Sequence, residues 1–247
     1  MNLSAEQAYL AQYQSNQYPT PLLTVDMAIF SVQSGQLHVL LIQRSNFPAK
    51  DQWALPGGFV NLEQDTDLAA SAQRKLLEKT AIDSPYLEQV ASIGNATRDP
   101  RGWSVTVLYF ALLDHQLLQH APNQHTEHSQ WIPIEQARKM TLAFDHQQLL
   151  DQAFERLQSR TRYTALPISL MPTLFTLTEL QQVYEIILGQ SLEKKSFRRR
   201  MIDAGVVLET EHSKIAGKRP AQLYRYALAD YDFHFPRILE YPKDSSS

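Results

Sequence analysis

Leu55-Pro56-Gly57-Gly58-Phe59-Val60, followed by Asp67-Leu68-Ala69-Ala70-Ser71-Ala72-Gln73-Arg74-Lys75-Leu76-Leu77-Glu78-Lys79-Thr80-Ala81-Ile82, decides how this chain is read. The extended segment from Trp53 to Val60 runs into two glycines, residues that let backbone approach a ligand closely. Leu68, Ala69, Ala72 and Leu76 recur at helical spacing, so Asp67 to Lys79 is predicted to be a helix. Lys75, Glu78 and Lys79 then share one side of it. Divalent cations such as Mg²⁺ are held by carboxylate oxygens. Glu78 flanked by two ammonium groups has lost that attraction, and the lysines suit an anionic ligand's phosphates or plain solvation.

On either side of this helix lie strand-like runs. Leu22 to Ser31 and Leu37 to Gln43 are rich in Val, Ile, Leu and Phe and flank a turn at Gln33-Ser34-Gly35. Gln89 to Ala96 and Trp103 to Leu113 form two more, while Ile134 to Lys139 and Asp145 to Gln158 are helical. Strands alternating with two sizeable helices predict a mixed-sheet α/β domain over residues 1–158. A short helix from Ser4 to Tyr13 precedes it.

The chain has 247 residues, 43% hydrophobic and 20% charged, with a formal net charge of −3 and no cysteine. That balance predicts no general attraction to nucleic acid, so any such binding must come from local asymmetry. Without thiols there are no disulfides. Met1 to Gln17 lacks the apolar core of a signal peptide, and Val105 to Leu113 is too short to span a bilayer. A soluble cytoplasmic protein without a membrane partner is expected.

Composition changes near Gln158. Residues 159–175 read as a linker or docking segment, and 176–247 as a second domain. Thr178 offers a capping hydroxyl for a helix ending at Gly189, and Ser191 opens a second helix through Ala204. Val206-Val207-Leu208 and Leu223-Tyr224-Arg225-Tyr226 make a hairpin around a long basic loop. Helix, turn, basic helix and hairpin is the order of a winged helix-turn-helix. Between Ser191 and Arg225 nine bases face four acids, reversing the sign of the whole chain. Leu192, Phe197, Met201 and Ile202 can pack inward, leaving Lys194, Lys195, Arg198 and Arg199 outward. These, with Lys214, Lys218 and Arg219 of the loop, are the candidate contacts to double-stranded DNA. Cations early in a helix are disfavoured by its dipole unless an anion is bound, which phosphates would supply.

Thr97-Arg98-Asp99-Pro100-Arg101-Gly102-Trp103 joins two predicted strands. Arginine suits a diphosphate as a bidentate donor, Asp99 a ribose hydroxyl. An Arg–Asp pair closing the turn, with Trp103 in the core, is the bland alternative. Arg44, Phe59 and His146 are expected nearby, giving a candidate ligand set of Arg44, Phe59, Arg98, Asp99, Arg101 and His146. Asp145 reads as a helix cap. No catalytic residue, metal ligand or cofactor is assigned.

The Gly57-to-Ile82 stretch resembles the signature of the Nudix hydrolases, in which a Gly-Gly loop leads to a helix carrying Arg-Glu-x-x-Glu-Glu and a closing glycine. Only Glu78 of that triplet is present. Lys75, Lys79 and Ala81 replace two acids and the glycine, and the upstream glutamate falls on Thr66 or Gln64. Together with Tyr18-Pro19, Val25-Asp26, Arg98 to Trp103, Leu142 to His146, Phe197-Arg198-Arg199 and Arg219-Pro220-Ala221-Gln222-Leu223-Tyr224, nearly the whole chain resembles the Nudix-related transcriptional regulators of NAD metabolism. The resemblance implies a Nudix-like α/β/α sandwich followed by a winged helix. It further implies a homodimeric repressor of NAD biosynthesis or salvage genes, released from its operator by ADP-ribose or a related nucleotide held in the Nudix pocket. The missing acids point away from hydrolysis. The alternative is a pyrophosphatase using Glu78 with Glu63, Asp65 or Asp67.

Overall fold

The computed structural model describes residues 4–14, 18–82, 86–120, 129–216, 219–228 and 231–239. A short helix α1 (Ala5–Gln12), capped by Ser4, leads to β1 (Leu22–Gln33), whose centre is buried on both faces. A turn through Ser34 and Gly35, both at positive φ, returns the chain as β2 (Gln36–Gln43), against which β3 (Trp53–Ala54) pairs. β4 (Gly57–Phe59) comes back to the start of β1, placing Gly57 opposite Asp26 and Gly58 opposite Val25. Then follow α2 (Leu68–Thr80), β5 (Leu87–Asn95), β6 (Ser104–Leu112), α3 (His115–His120), β7 (Ser129–Pro133), α4 (Ile134–Ala137) and α5 (His146–Tyr163).

The main path of the sheet is β3-β2-β1-β6-β5, with β4 beside β1 and β7 beside β2. β1 and β6 run parallel, and the other pairs antiparallel. Alternation along β1 assigns its side chains to two cores. Val25, Met27 and Ile29 join Ala72 and Leu76 of α2 on one face. Ala28 and Phe30 join Leu149, Leu150, Phe154 and Leu157 of α5 on the other. The expected mixed-sheet sandwich is therefore what forms. Leu76 has no exposed surface, and truncating such a residue to alanine costs about 2–5 kcal/mol. Asp67 caps α2 by accepting from the Ala70 N–H, and Ala81 ends it in the left-handed region at φ 55°.

The second domain has its own core of Phe175, Leu177, Leu180, Tyr184, Phe197, Met201, Val207 and Tyr224. Its helices are α6 (Leu177–Leu188) and α7 (Lys194–Asp203), and its hairpin is β8 (Val207–Ala216) with β9 (Arg219–Tyr226). Several local expectations change. Thr176 rather than Thr178 caps α6, in a reciprocal box with Glu179. α7 starts at Lys194, because the Glu193 carboxylate accepts from the N–H groups of Lys195 and Ser196. That carboxylate is itself the anion at the helix start, so the cations there do not wait on DNA to offset the dipole. Phe197 and Met201 are buried as expected, but Ile202 is exposed, lying off their face. Most of the presumed basic loop is strand.

Residues 159–175 are no solvated connector: α5 continues to Tyr163, and a 3-10 helix, Leu166–Leu170, is buried throughout. α6 bridges the halves, with Val183 and Ile187 in the sheet's core and Leu180 and Tyr184 in the winged-helix core. The C-terminal segment also packs, its Phe235 N–H donating to the Tyr163 carbonyl. Among the described residues no helix is long and apolar enough to cross a membrane.

Candidate functional site

Where β4 meets β1, a cavity of about 230 Å³ opens, walled by the turn after β5 and the start of α5. It gathers all six residues assigned to a ligand from sequence: Arg44, Phe59, Arg98, Asp99, Arg101 and His146. It also contains Asp26, Phe47 and Phe144, which that reasoning left unassigned. Val25-Asp26 entered only among the segments that carry the family resemblance, and no local pattern reveals that β1 delivers Asp26 here.

Asp26 is buried and accepts from the Thr106 hydroxyl at 2.7 Å. Gly57, its neighbour across the strand pair, leaves room for it: a Cβ on Gly57 would lie 2.1 Å from Asp26 Oδ1. Arg98 is buried beside them. Its Nη2 is 3.6 Å from Asp26 Oδ2, and its Nε and Nη2 donate to the two Asp145 oxygens at 2.9 and 3.0 Å. Asp145 thus occupies the cap position of α5 but makes no side-chain cap bond. The carboxylate expected to cap the helix holds an arginine instead, because a fork of two donors outcompetes lone backbone N–H groups.

The rim carries two cation–aromatic stacks. The Arg44 guanidinium lies 4.7 Å from the Phe144 ring centre, and that of Arg101 5.0 Å from Phe59. Arg101 also donates to both Asp99 oxygens, the pair closing its own turn. Arg101 hydrogen bonds hold the Asp99 carboxyl below the usual aspartate range, against its burial. Burial, then the facing charge of Arg101, lowers the pKa of Arg44. Three arginines and the carboxylates of Asp26, Asp99 and Asp145 thus meet around one cavity. Trp103, expected in the core, is half exposed at 52%; its ring lies across Gly94, where a Cβ would approach it to 3.1 Å.

His146 is 5% exposed, and burial pushes its pKa below the ordinary value of 6.5. Its Nδ1 accepts from the Leu55 N–H at 3.0 Å, which fixes a neutral ring with the proton on Nε2. Nε2 stands 3.9 Å from Asp26 Oδ1. The histidine positions the cavity wall and the glycine loop together.

The helix of the Nudix box, α2, lies on the other face of the sheet. A Cβ on Gly58 would meet Lys75 Cε at 3.1 Å, whereas one on Gly57 meets Asp26, so the glycine pair divides box helix from cavity. Glu78 accepts from Arg74 Nη1 at 2.8 Å and Lys75 Nζ at 3.0 Å. Burial opposes its charge, but these two hydrogen bonds outweigh it and depress its pKa. Asp65 is gripped bidentately by Arg74 at 2.7 Å, and Asp67 caps α2. Two of the three substitute acids, Asp65 and Asp67, are thus engaged within the protein. Among the described residues no group of three metal-ligating side chains forms.

On α7, Lys194, Lys195 and Arg199 are exposed and Arg198 is half-buried, a cationic face backed by Phe197. Lys214, on β8, pairs with Glu179 of α6, tying the hairpin to the helix pair. Lys218 lies outside the described residues, as does the side chain of Arg219. A larger cavity, about 670 Å³, separates α7 from residues 233–239 and contains none of the six ligand-site residues.

Residues 22–153 match the NUDIX domain model, and residues 167–226 match that of the NrtR DNA-binding winged helix domain. The chain is 73% identical to the ADPR responsive transcriptional repressor NtrR of Acinetobacter baylyi, over 98% of this chain and 97% of that protein. The crystal structure of Shewanella oneidensis NrtR complexed with a 27mer DNA superposes with a TM-score of 0.83 at 43% identity, covering 88% and 99% of the two chains. The NUDIX domain of the same protein complexed with ADP ribose matches 62% of this chain and 99% of that domain, at 46% identity and a TM-score of 0.57. Fold, domain order and 73% identity over nearly the full length of a named member agree: the chain belongs to the NrtR family of Nudix-related transcriptional regulators.

Proposed function

We propose that this protein is an ADP-ribose-responsive transcriptional repressor of NAD biosynthesis or salvage genes, acting as a homodimer on operator DNA. The observation that carries the ligand half is the convergence of Arg44, Arg98 and Arg101 with Phe59, Phe144 and Asp99 on one cavity. Guanidinium groups take a diphosphate, aromatic faces take a base, and a carboxylate takes ribose hydroxyls. The DNA half rests on the cationic face of α7 and on likeness to a relative crystallised with duplex. Two such helices in a dimer would meet a near-palindromic site with half-sites about one or two helical turns apart.

In this reading the Nudix half binds without hydrolysing. Lys75 and Arg74 pair with the one retained acid of the helix and so compete with the cations that pyrophosphate cleavage requires. A gel shift with the fragment upstream of its own gene tests the proposal. The complex should form without ligand and dissolve with ADP-ribose, and no AMP should appear when Mg²⁺ is added. A duplex retained at saturating ADP-ribose would remove the effector assignment.

A further inference from the structure

We infer that helix α5 carries the ligand signal from the cavity to the winged helix, with the Arg98–Asp145 pair as its ligand-sensitive end. The inference rests on the effector reading above. α5 has 18 residues, so at 1.5 Å per residue it spans about 27 Å. Its first end is built into the cavity: Asp145 grips Arg98, and His146 accepts from the Leu55 N–H.

Its last end is held by the DNA-binding half. The final carbonyls of a helix have no partner within it and must find donors elsewhere. Here the winged-helix domain and the C-terminal segment supply them. The Arg162 carbonyl accepts from Arg200 Nη2 of α7 at 3.1 Å. That of Tyr163 accepts from the Phe235 N–H at 2.7 Å, and that of Thr164 from the Tyr184 hydroxyl of α6 at 2.9 Å. The Arg200 guanidinium in turn lies 4.0 Å from the Phe235 ring centre. One rigid rod therefore has the ligand's arginine at one end and the recognition helix at the other.

Asp145 gives the rod two settings. In one, the arrangement of this structure, its carboxylate is turned away from the helix and pairs with Arg98. A bound diphosphate competes for the same guanidinium as a bidentate acceptor. Asp145, released, can then cap the first-turn N–H groups of α5, as residues at that position ordinarily do. A change of partner at residue 145 alters the seating of the helix start, and the helix passes it to the three carbonyls. Ligand and operator thus bias one element from opposite ends, which is the condition for coupling between separated sites.

The test uses the full chain, an operator duplex followed by fluorescence anisotropy, and ADP-ribose binding followed by calorimetry. Tyr184→Phe removes one carbonyl contact at a buried position outside the cavity and keeps the ring that packs edge-on against Phe197 of α7. It should leave both individual affinities close to those of the unaltered protein. The factor by which saturating ADP-ribose weakens operator binding, about 5- to 150-fold for allosteric couplings of ordinary strength, should shrink by about threefold or more. Asp145→Asn should weaken operator binding without ligand and tighten ADP-ribose binding. Unaltered coupling in both variants overturns the relay and leaves the effector reading standing. Failure of the unaltered protein to respond to ADP-ribose overturns both.

Discussion

A methyl group on Gly57 would stand 2.1 Å from Oδ1 of Asp26 and 2.5 Å from the Val25 carbonyl. Neither neighbour is free to retreat. Asp26 is held by the Thr106 hydroxyl, and Val25 belongs to the strand pair itself. Gly57→Ala should therefore destabilise the fold by about 1–3 kcal/mol, the cost of forced overpacking. Because the shift falls on the cavity floor, ADP-ribose affinity should fall by about tenfold or more, equivalent to roughly 1.4 kcal/mol. Urea denaturation and calorimetry of the variant read the two effects separately.

Ala81 poses the opposite case. It ends α2 at φ 55°, in the left-handed region, where its Cβ is a liability. Ala81→Gly should raise stability by about 0.5–1 kcal/mol, the strain relieved exceeding the entropy that glycine adds to the unfolded chain. A shift of the urea midpoint to higher concentration at constant slope is the expected result.

His146 makes stability depend on pH below neutrality. Burial lowers its folded pKa beneath the unfolded value of 6.5. The unfolded chain therefore binds more protons between these two values, and stability rises with pH through that window. The contribution is complete above 6.5 and drains away as pH falls towards the folded pKa. Thermal melts of the unaltered protein should show a decline in melting temperature below pH 6.5 that is shallower in His146→Gln.

Exposed cations on α7 should act through phosphates rather than bases. Arg199→Ala should weaken binding to operator and to unrelated duplex alike. The slope of log affinity against log salt should become shallower by about 0.9, the value of one lost phosphate contact on B-form DNA. Salt titrations of operator and scrambled duplex measure both. A loss confined to the operator would instead place Arg199 on a base edge.

The sequence made much of this legible because its strongest signals are local. The glycine pair, the apolar spacing of α2 and the cationic run of α7 each depend on neighbours within a turn or two. The six cavity residues could be grouped because Arg98, Asp99 and Arg101 share one turn and the family resemblance placed the others. What escaped required distant partners. Asp145 was read as a cap, since nothing nearby in sequence announces that Arg98, 47 residues earlier, holds its carboxylate. Trp103 was read as core because aromatic residues beside strands usually are, yet it sits in the turn just before β6, half exposed, with its ring over Gly94. For residues 159–175 the choice between linker and docking segment stayed open because the segment's polar groups are satisfied across the domain junction. Thr164, for example, is buried and receives the Tyr184 hydroxyl.

The central claim is that this Nudix half answers ADP-ribose by letting go of DNA rather than by cleaving it. The most direct measurement titrates ADP-ribose into the protein–operator complex in the presence of Mg²⁺, following duplex anisotropy and then separating the nucleotides from the same sample. Anisotropy should fall to that of free duplex, with ADP-ribose recovered intact. An operator that stays bound at saturation, or ADP-ribose converted to AMP, would contradict it.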